Sequence, residues 1–260
     1  MLLENVPGLG RDGRLGLLLA AMGRAGYDHR QYTVDARDFG VPQPRRRLIV
    51  VAVRRDASGG PPGDLLASLP ASFDVTPRTA GQALAGLAAA AVSGDPQDRH
   101  RTSGPTVTAR IAAVPVGGTR FDLPEEHRLA CHGRLSRDGR PVSGQATSSY
   151  GRVRADAAAP TMTTRCTTPA CGAFVHPTEH RGLTLREAAT FQTFPPGYAF
   201  DGGYDAVERQ IGNAVPVRMA HALGLAVLAA LEQAPPHGVV ACPVGPLGPT
   251  RRRGSSVNDR

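Results

Sequence analysis

Residues 48–53 read LIVVAV, an unbroken apolar run in which four of the six side chains are β-branched. Such a run is typical of a β-strand that is buried on both faces. A loop marked by Gly40, Pro42 and Pro44 precedes it. A strand of this kind needs packed layers on both sides, so the run predicts a mixed helix and sheet architecture.

The residues before this run predict the first of those layers. Residues 13–25 carry leucines and a methionine at helical spacing, and Gly26 ends the pattern. Residues 27–34 alternate weakly between apolar and polar side chains, which predicts a second strand. Residues 1–55 therefore read as a strand tip, a helix, a strand, a loop and a buried strand, an α/β pattern.

The rest of the chain divides by composition. Residues 56–180 are rich in Pro, Gly, Ser and Thr and lose strong periodicity, so we expect either a different domain or a long insertion there, irregular and mostly β. Helical periodicity returns over residues 181–232, where Thr184 and Glu187 form the pattern of a capping box. Residues 233–260 are Pro/Gly-rich and predict a disordered tail.

Charge and hydropathy narrow the class of function. The 260 residues carry a net charge of +8, and all 30 basic side chains are arginines. Guanidinium groups suit phosphate and base edges, so the composition favours a polyanionic partner, with a solvated basic surface as the alternative. No apolar run reaches the length of a membrane span and no export signal is present at the N-terminus. We therefore expect a cytoplasmic protein without a membrane partner.

Cysteine spacing gives a weak indication of metal binding. Cys166 and Cys171 are followed by His176 and His180, but zinc frameworks usually leave a longer loop between the cysteine and histidine pairs. We interpret this stretch as a loop that holds thiols and imidazoles, and we predict no metal site.

Four stretches, taken in order, resemble the C-terminal half of the cytosine-5 DNA methyltransferases. The similarity covers residues 1–55 and about 150–232, and residues 56–150 occupy the place of the variable region of that family. The stretches are Glu4-Asn5-Val6, FGVPQPRRRLIVVAVRR at 39–55, RGLTLREAATFQTFPPGYAF at 181–200 and QIGNAVPVRMAHALG at 210–224. The resemblance implies the C-terminal part of a Rossmann-like S-adenosylmethionine-dependent methyltransferase domain with an inserted target-recognition domain.

The resemblance also implies catalytic residues. Attack on carbon 6 of cytosine needs an electron-poor ring, which a carboxyl group that shares a proton with ring nitrogen 3 provides. Glu4 resembles the glutamate with that role, and Asn5 the neighbour that holds its loop in shape. Side chains two apart in an extended segment point the same way, so Arg45 and Arg47 would share one site and Arg46 would face elsewhere. Arg47 would bind the ring oxygen, and Arg45 the flipped nucleotide and its phosphates.

Contacts to DNA follow from the same resemblance. Gln43 in the Q-x-R-x-R stretch is expected to contact DNA, as are Thr163 and Arg165 in the TMTTR stretch, which ends the target-recognition region. In this family that domain enters the major groove of double-stranded DNA while the target base is flipped out of the duplex.

Two more groups of residues complete the expected site. Gly212 and Asn213 precede the last long helix and are expected near S-adenosylmethionine, at a helix N-terminus with free backbone donors. Arg186, Glu187 and Gln192 span less than two helical turns, and we interpret them as residues that brace the two domains around a cleft.

The family places a glycine-rich cofactor turn and a Pro-Cys nucleophile loop before its Glu-Asn-Val motif, and this sequence contains neither. We therefore expect most of the S-adenosylmethionine site on a missing N-terminal part. The sequence leaves three interpretations open: a truncated cytosine-5 DNA methyltransferase, one chain of a split enzyme whose partner carries those motifs, or a non-catalytic DNA-binding remnant. Truncation would remove neighbouring strands and leave residues 48–53 with an unpaired edge and an uncovered face, so we expect the chain alone to be poorly soluble or partly unfolded.

Overall fold

Three strands and six α-helices form the regular structure of the residues that this computed structural model describes, which are 1–57, 60–90, 92–129 and 148–232. The strands are β1 (Leu2–Asn5), β2 (Tyr27–Asp35) and β3 (Arg46–Arg54). The helices are α1 (Gly13–Arg24), α2 (Ala80–Ala89), α3 (Pro105–Ala113), α4 (Leu185–Phe191), α5 (Tyr204–Asn213) and α6 (Val217–Glu232).

The three strands form one sheet in the order β1-β3-β2, with both pairings antiparallel. Glu4 pairs with Ile49 and Asn5 with Leu48, whereas β2 follows β3 along its whole length. The buried run predicted at 48–53 is therefore the central strand. The expectation that it has an unpaired edge is wrong, because β1 and β2 occupy both of its edges.

Both faces of β3 are covered, so the expected uncovered face is also corrected. Leu48 and Val50 pack against α1 on one side, and Ile49 and Val51 pack against α6 on the other. The chain leaves the sheet after β3 and returns through α6 to close the second face. The large exposed apolar side chains of this part lie instead on β1, on α1 and beside them: Met1, Leu2, Val6, Leu17 and Leu18.

The middle region is irregular, as expected, but its described residues contain less β structure than predicted. They form α2, α3, short 3₁₀ turns and isolated bridges such as Arg152–Val175 and Val175–Gly182. A buried arginine takes the place of a strand ladder here. Arg152 donates to the carbonyl oxygens of Ile111, Val114, His176 and Glu179 at 2.7–3.1 Å, which satisfies loop carbonyls that strands would otherwise pair.

The last three helices divide between two cores. Met219 and Leu223 of α6 pack on the sheet. Helices α4 and α5 instead share a core with Met162 and Phe174 of the middle region. The capping box predicted for Thr184 and Glu187 is present at the start of α4. The domain boundaries at residues 55 and 180 stay predictions.

Two further sequence predictions concern the C-terminal tail and the possibility of a membrane span. The predicted tail at 233–260, with Cys242, and Cys131 fall outside the described ranges. Within those ranges, no single helix is long and apolar enough to cross a membrane, and α5 with α6 meets the requirement only as a pair bent by 40°.

Candidate active site

An ion pair between β1 and β3 is the centre of the candidate site. Arg47 Nε lies 2.7 Å from Glu4 Oε1, and the two side chains are 15% and 24% exposed. Arg47 also donates from Nη1 to the carbonyl of Arg46 at 2.8 Å, which fixes the direction of its guanidinium group. The antiparallel register places both residues at the same end of the sheet. A carboxylate and a guanidinium group are thus held together at a position where both side chains remain partly exposed to solvent.

Asn5 holds the turn that follows β1. Its Oδ1 accepts a hydrogen bond from the backbone N–H of Val6 at 2.8 Å, just before the 3₁₀ turn Pro7–Arg11. This local bond fixes the backbone beside Glu4 and is the kind of contact by which Asn shapes turns. The role of Asn5 in holding the catalytic loop in shape stays a prediction that this bond permits.

Arg45 is buried and bound to backbone carbonyls. It is 4% exposed and donates to Met162 O at 2.8 Å, Gly212 O at 3.0 Å and Ala214 O at 3.0 Å. Burial, assisted by the charge of the nearby Arg47, lowers the pKa of Arg45 to about 10. The expected direct contact with DNA phosphates is therefore corrected for this structure. Arg45 joins the start of β3 to the end of the middle region and to the turn between α5 and α6.

Gln43 is fully buried, which contradicts its expected contact with DNA. Its Nε2 donates to Phe191 O at 2.8 Å and to Gln192 Oε1 at 2.6 Å, and its Oε1 accepts from Met162 N at 3.0 Å. Gln192 extends this hydrogen-bond network, because its Nε2 donates to Ile211 O at 2.7 Å. The two glutamines connect β3, the middle region, α4 and α5, so their role is to hold these parts together.

Replacement of Gln43 by alanine is expected to destabilise the protein by about 2–4 kcal/mol, because the N–H of Met162 and the carbonyl of Phe191 would lose a buried partner. Urea unfolding measures this change. Gln210→Ala is the matched control, since Gln210 is exposed and the hydrogen bond of its side chain goes to Asp201 O near the surface. If the two variants unfold at the same urea concentration, the structural role of Gln43 is wrong.

Helix α4 is expected from its sequence to brace the two parts of the chain. Arg186 is buried and pairs with Asp95 of the middle region, and it also donates to Tyr198 O at 2.9 Å. Glu187 pairs with Arg181 at 2.8 Å. These contacts are internal, and the pair of Arg186 with Asp95 links α4 to the middle region; the bracing role of the helix stays a prediction.

Thr163 and Arg165 are exposed on a loop that is anchored on both sides. Before them, the N–H of Met162 is bound to Gln43, as described above. After them, the N–H of Thr167 donates to the carboxylate of Glu208 at 2.9 Å. The loop therefore presents both side chains to solvent from a fixed backbone. Their contact with DNA stays a prediction that this geometry permits.

Glu208 is a buried carboxylate that sequence analysis missed. It is 1% exposed and accepts hydrogen bonds from Thr167 Oγ1 at 2.6 Å and Thr168 Oγ1 at 3.3 Å, besides the Thr167 N–H. Arg101 completes the group with an ion pair at 3.2 Å. One feature of the sequence could have predicted its burial: Glu208 precedes Ile211 by three residues, which places both on the same face of an amphipathic helix.

Gly212 and Asn213 differ in their surroundings. A Cβ on Gly212 would lie 2.1 Å from Thr163 O, so the backbone of the exposed loop fills the space where a side chain would be. Asn213 is exposed at the end of α5. Asn213 can therefore offer its amide to a cofactor, whereas the side-chain space at Gly212 is occupied by protein. Their contact with S-adenosylmethionine stays a prediction.

The described cysteines do not form a nucleophile or metal centre. Cys166 is fully buried with Sγ 4.0 Å from Glu208 O, and burial raises the pKa of its thiol, which disfavours the thiolate. Cys171 is exposed in a separate 3₁₀ turn. In residues 1–57, 60–90, 92–129 and 148–232, no three metal-ligating side chains converge.

A large cavity lies elsewhere than at the candidate site. A cavity of about 740 Å³ lies between α2, the segment at 74–78 and the start of α6, with Arg78, Arg218 and His221 in its wall. None of the residues assigned above to catalysis, cofactor or DNA lines it. The ion pair of Glu4 and Arg47 is a surface feature of the sheet edge instead.

Comparison with known proteins gives a consistent assignment. A family model described as C-5 cytosine-specific DNA methylase matches residues 1–229. The Type II methylase M.HgiDII of Herpetosiphon aurantiacus is 31% identical over 88% of this chain and 64% of its own length. The Type II methyltransferase M.PspPI of a Psychrobacter species is 34% identical over 90% of this chain and 55% of its own. This chain thus spans less than two thirds of these relatives.

One solved structure supports the fold independently of close sequence similarity. The Dnmt2 methyltransferase of S. pombe superposes with a TM-score of 0.55 at 15% identity, over 89% of this chain and 66% of that one. At this identity the likeness concerns the fold alone.

Proposed function

Since the chain belongs to the C-5 cytosine-specific DNA methylase family, we propose that it acts in the transfer of a methyl group from S-adenosylmethionine to carbon 5 of cytosine in double-stranded DNA. The observation that carries the proposal is the ion pair of Glu4 and Arg47 at the end of β1 and β3. A carboxyl group and a guanidinium group in fixed proximity suit the adjacent ring nitrogen 3 and ring oxygen of a flipped cytosine.

Each residue of the pair has a separate task in this proposal. Glu4 hydrogen-bonds ring nitrogen 3 and shares a proton with it, which draws electron density from the ring as a nucleophile adds to carbon 6. Arg47 orients that carboxyl group and stabilises the negative charge that develops on the ring oxygen. Arg45 holds the carbonyls of Met162 and Gly212, so it fixes the site without touching the base.

The nucleophile and most of the cofactor site lie outside this sequence in our proposal. S-Adenosylmethionine, when bound, supplies the methyl group. Asn213 is the exposed residue here that would reach its site. Cys166 is unsuited to attack because it is buried, and Cys171 lies in a separate 3₁₀ turn away from Glu4 in the sequence. A polypeptide with a glycine-rich turn and a Pro-Cys loop would complete the enzyme, either as part of the same protein or as a partner chain.

Complementation tests this function. The chain is mixed with a polypeptide that carries those two motifs, and the transfer of tritiated methyl from S-adenosylmethionine to duplex DNA is measured. We expect incorporation at carbon 5 of cytosine from the mixture and none from either part alone. DNA binding without methyl transfer in any mixture or fusion would overturn the proposal and support the second candidate, a non-catalytic DNA-binding protein.

A further inference from the structure

Four arginine side chains surround the first turns of α5, and we call them the α5 arginine surface: Arg99, Arg101, Arg165 and Arg209. Two of them lie over one aromatic ring. The guanidinium carbons of Arg99 and Arg101 are 5.6 and 4.8 Å from the ring centre of Tyr204. Cation–π contacts of this kind hold a guanidinium flat against a ring while its N–H groups stay available.

Arg101 is the fixed member of this surface. It pairs with Asp205 and, at 3.2 Å, with the buried Glu208, and its side chain remains 33% exposed. Tyr204 is itself fixed, because its hydroxyl donates to Thr167 Oγ1 at 2.9 Å. The part of the surface formed by Arg99 and Arg101 therefore has a rigid base, the ring of Tyr204.

Arg165 and Arg209 complete the surface near Asp205, whose carboxylate senses both of their charges. Arg209 follows Asp205 by four residues on α5, so both lie on one helix face. Arg165 adjoins Cys166, whose Sγ lies 4.0 Å from the carbonyl of α5 residue Glu208. The pKa of Asp205 is lowered, first by its hydrogen bond from Arg101 and further by the charges of Arg101, Arg165 and Arg209.

The charges of this surface do not balance. Four guanidinium groups meet two carboxylates, and one of those, Glu208, is buried and takes three further hydrogen bonds. Arg99, Arg165 and Arg209 are exposed. An excess of exposed guanidinium groups on a rigid base matches an array of phosphates, because each planar fork can donate two hydrogen bonds to one phosphate.

We propose that the α5 arginine surface binds the phosphate backbone of duplex DNA beside the exposed loop of Thr163 and Arg165. This inference rests on the proposed function and adds Arg99, Arg101 and Arg209 to the residues that position DNA. Backbone contacts of this type fix the register of a protein on DNA and carry no base specificity. The surface would therefore strengthen binding to all sequences equally.

The salt dependence of DNA binding tests this inference. The probe is a fluorescein-labelled duplex of mixed sequence, and its dissociation constant is measured by fluorescence anisotropy over a range of salt concentrations. Arg99→Ala and Arg209→Ala should each reduce the slope of log K against log salt by about 0.9, and the double variant by about twice that. Arg209→Lys should keep the slope, because it keeps the charge.

The control is Arg24→Ala, which removes an exposed arginine from α1. Thermal melting of each variant confirms that it is folded, which these exposed positions should allow. If the full chain binds with a steep slope but the α5 variants match Arg24→Ala, the surface assignment is overturned and the proposed function stands. If the full chain does not bind duplex DNA at all, the surface assignment is overturned, and methyl transfer in the complementation assay decides the proposed function separately.

Discussion

Glu4→Gln is expected to lower methyl transfer in the complemented enzyme by about 10²–10⁴-fold, the usual contribution of a positioned acid or base. Glutamine keeps the shape of the side chain and can still donate a hydrogen bond, but it cannot exchange a proton with ring nitrogen 3. The rate of a single turnover at saturating DNA should therefore fall, whereas the dissociation constant for duplex DNA should change little.

The matched control for this variant is Glu232→Gln, which neutralises an exposed carboxylate at the end of α6. It removes the same charge from the chain as a whole and should leave the rate unchanged. If Glu4→Gln also leaves the single-turnover rate unchanged, Glu4 does not act on the base and the site assignment fails.

Arg47 provides a second check on the same pair, because its Nε lies 2.7 Å from the Glu4 carboxylate. Arg47→Ala removes both the orientation of Glu4 and the cation beside the ring oxygen, so a comparable loss of rate follows. The double variant Glu4→Gln/Arg47→Ala should lose much less than the product of the single losses, since residues that act as a unit are not additive. If the loss in the double variant instead equals the product of the two single losses, Glu4 and Arg47 act independently and not as a pair.

The local sequence pattern was sufficient to predict the central strand β3 and the first residues of α4. The run 48–53 specified β3 because a continuous apolar stretch has few other solutions in a small sheet, and the observed strand extends it only to Arg46–Arg54. Thr184 and Glu187 form their capping box because both partners lie within one helical turn. In each case the information needed lies within a few residues of the feature.

The roles of Gln43 and Arg45 could not be predicted in the same way. Both are polar residues beside a run of arginines, a pattern typical of a solvated DNA-binding loop. Their partners are far along the chain: Arg45 reaches Met162 and Gly212 across 117 and 167 residues, and Gln43 reaches Gln192 across 149. Only the tertiary fold shows that these carbonyls and amides converge, so it is burial that separates Arg45 from Arg47.

The antiparallel sheet was missed for a related reason. Periodicity shows that a strand is buried, but it does not show which strands lie beside it. The motif Glu4-Asn5-Val6 was interpreted as a strand tip, and its pairing with β3 is what brings Glu4 to Arg47. The Glu4–Arg47 ion pair is therefore a product of strand register, whereas its two members were predicted as site residues from the sequence.

Gly212→Ala is expected to destabilise the protein by about 3 kcal/mol or more, the upper range for overpacking of a closed site. The added Cβ would lie 2.1 Å from Thr163 O and 2.4 Å from Thr164 N, and both are backbone atoms that cannot rotate away. Relief would need the loop or the end of α5 to move. Arg45 is hydrogen-bonded to both segments, through Met162 O and Gly212 O, so neither can move without breaking a buried hydrogen bond.

Gly224→Ala is the matched control, and its effect should have the opposite sign. Gly224 lies inside α6 with no atom within 4 Å of an added Cβ, so alanine should stabilise the helix by about 0.5–1 kcal/mol. Urea unfolding of the two variants therefore separates a clash from a general effect of glycine in helices. Gly212→Ala should also weaken duplex DNA binding, because the strained segment presents Thr163 and Arg165. Equal stabilisation by both alanines would show that α5 and this loop are not in contact.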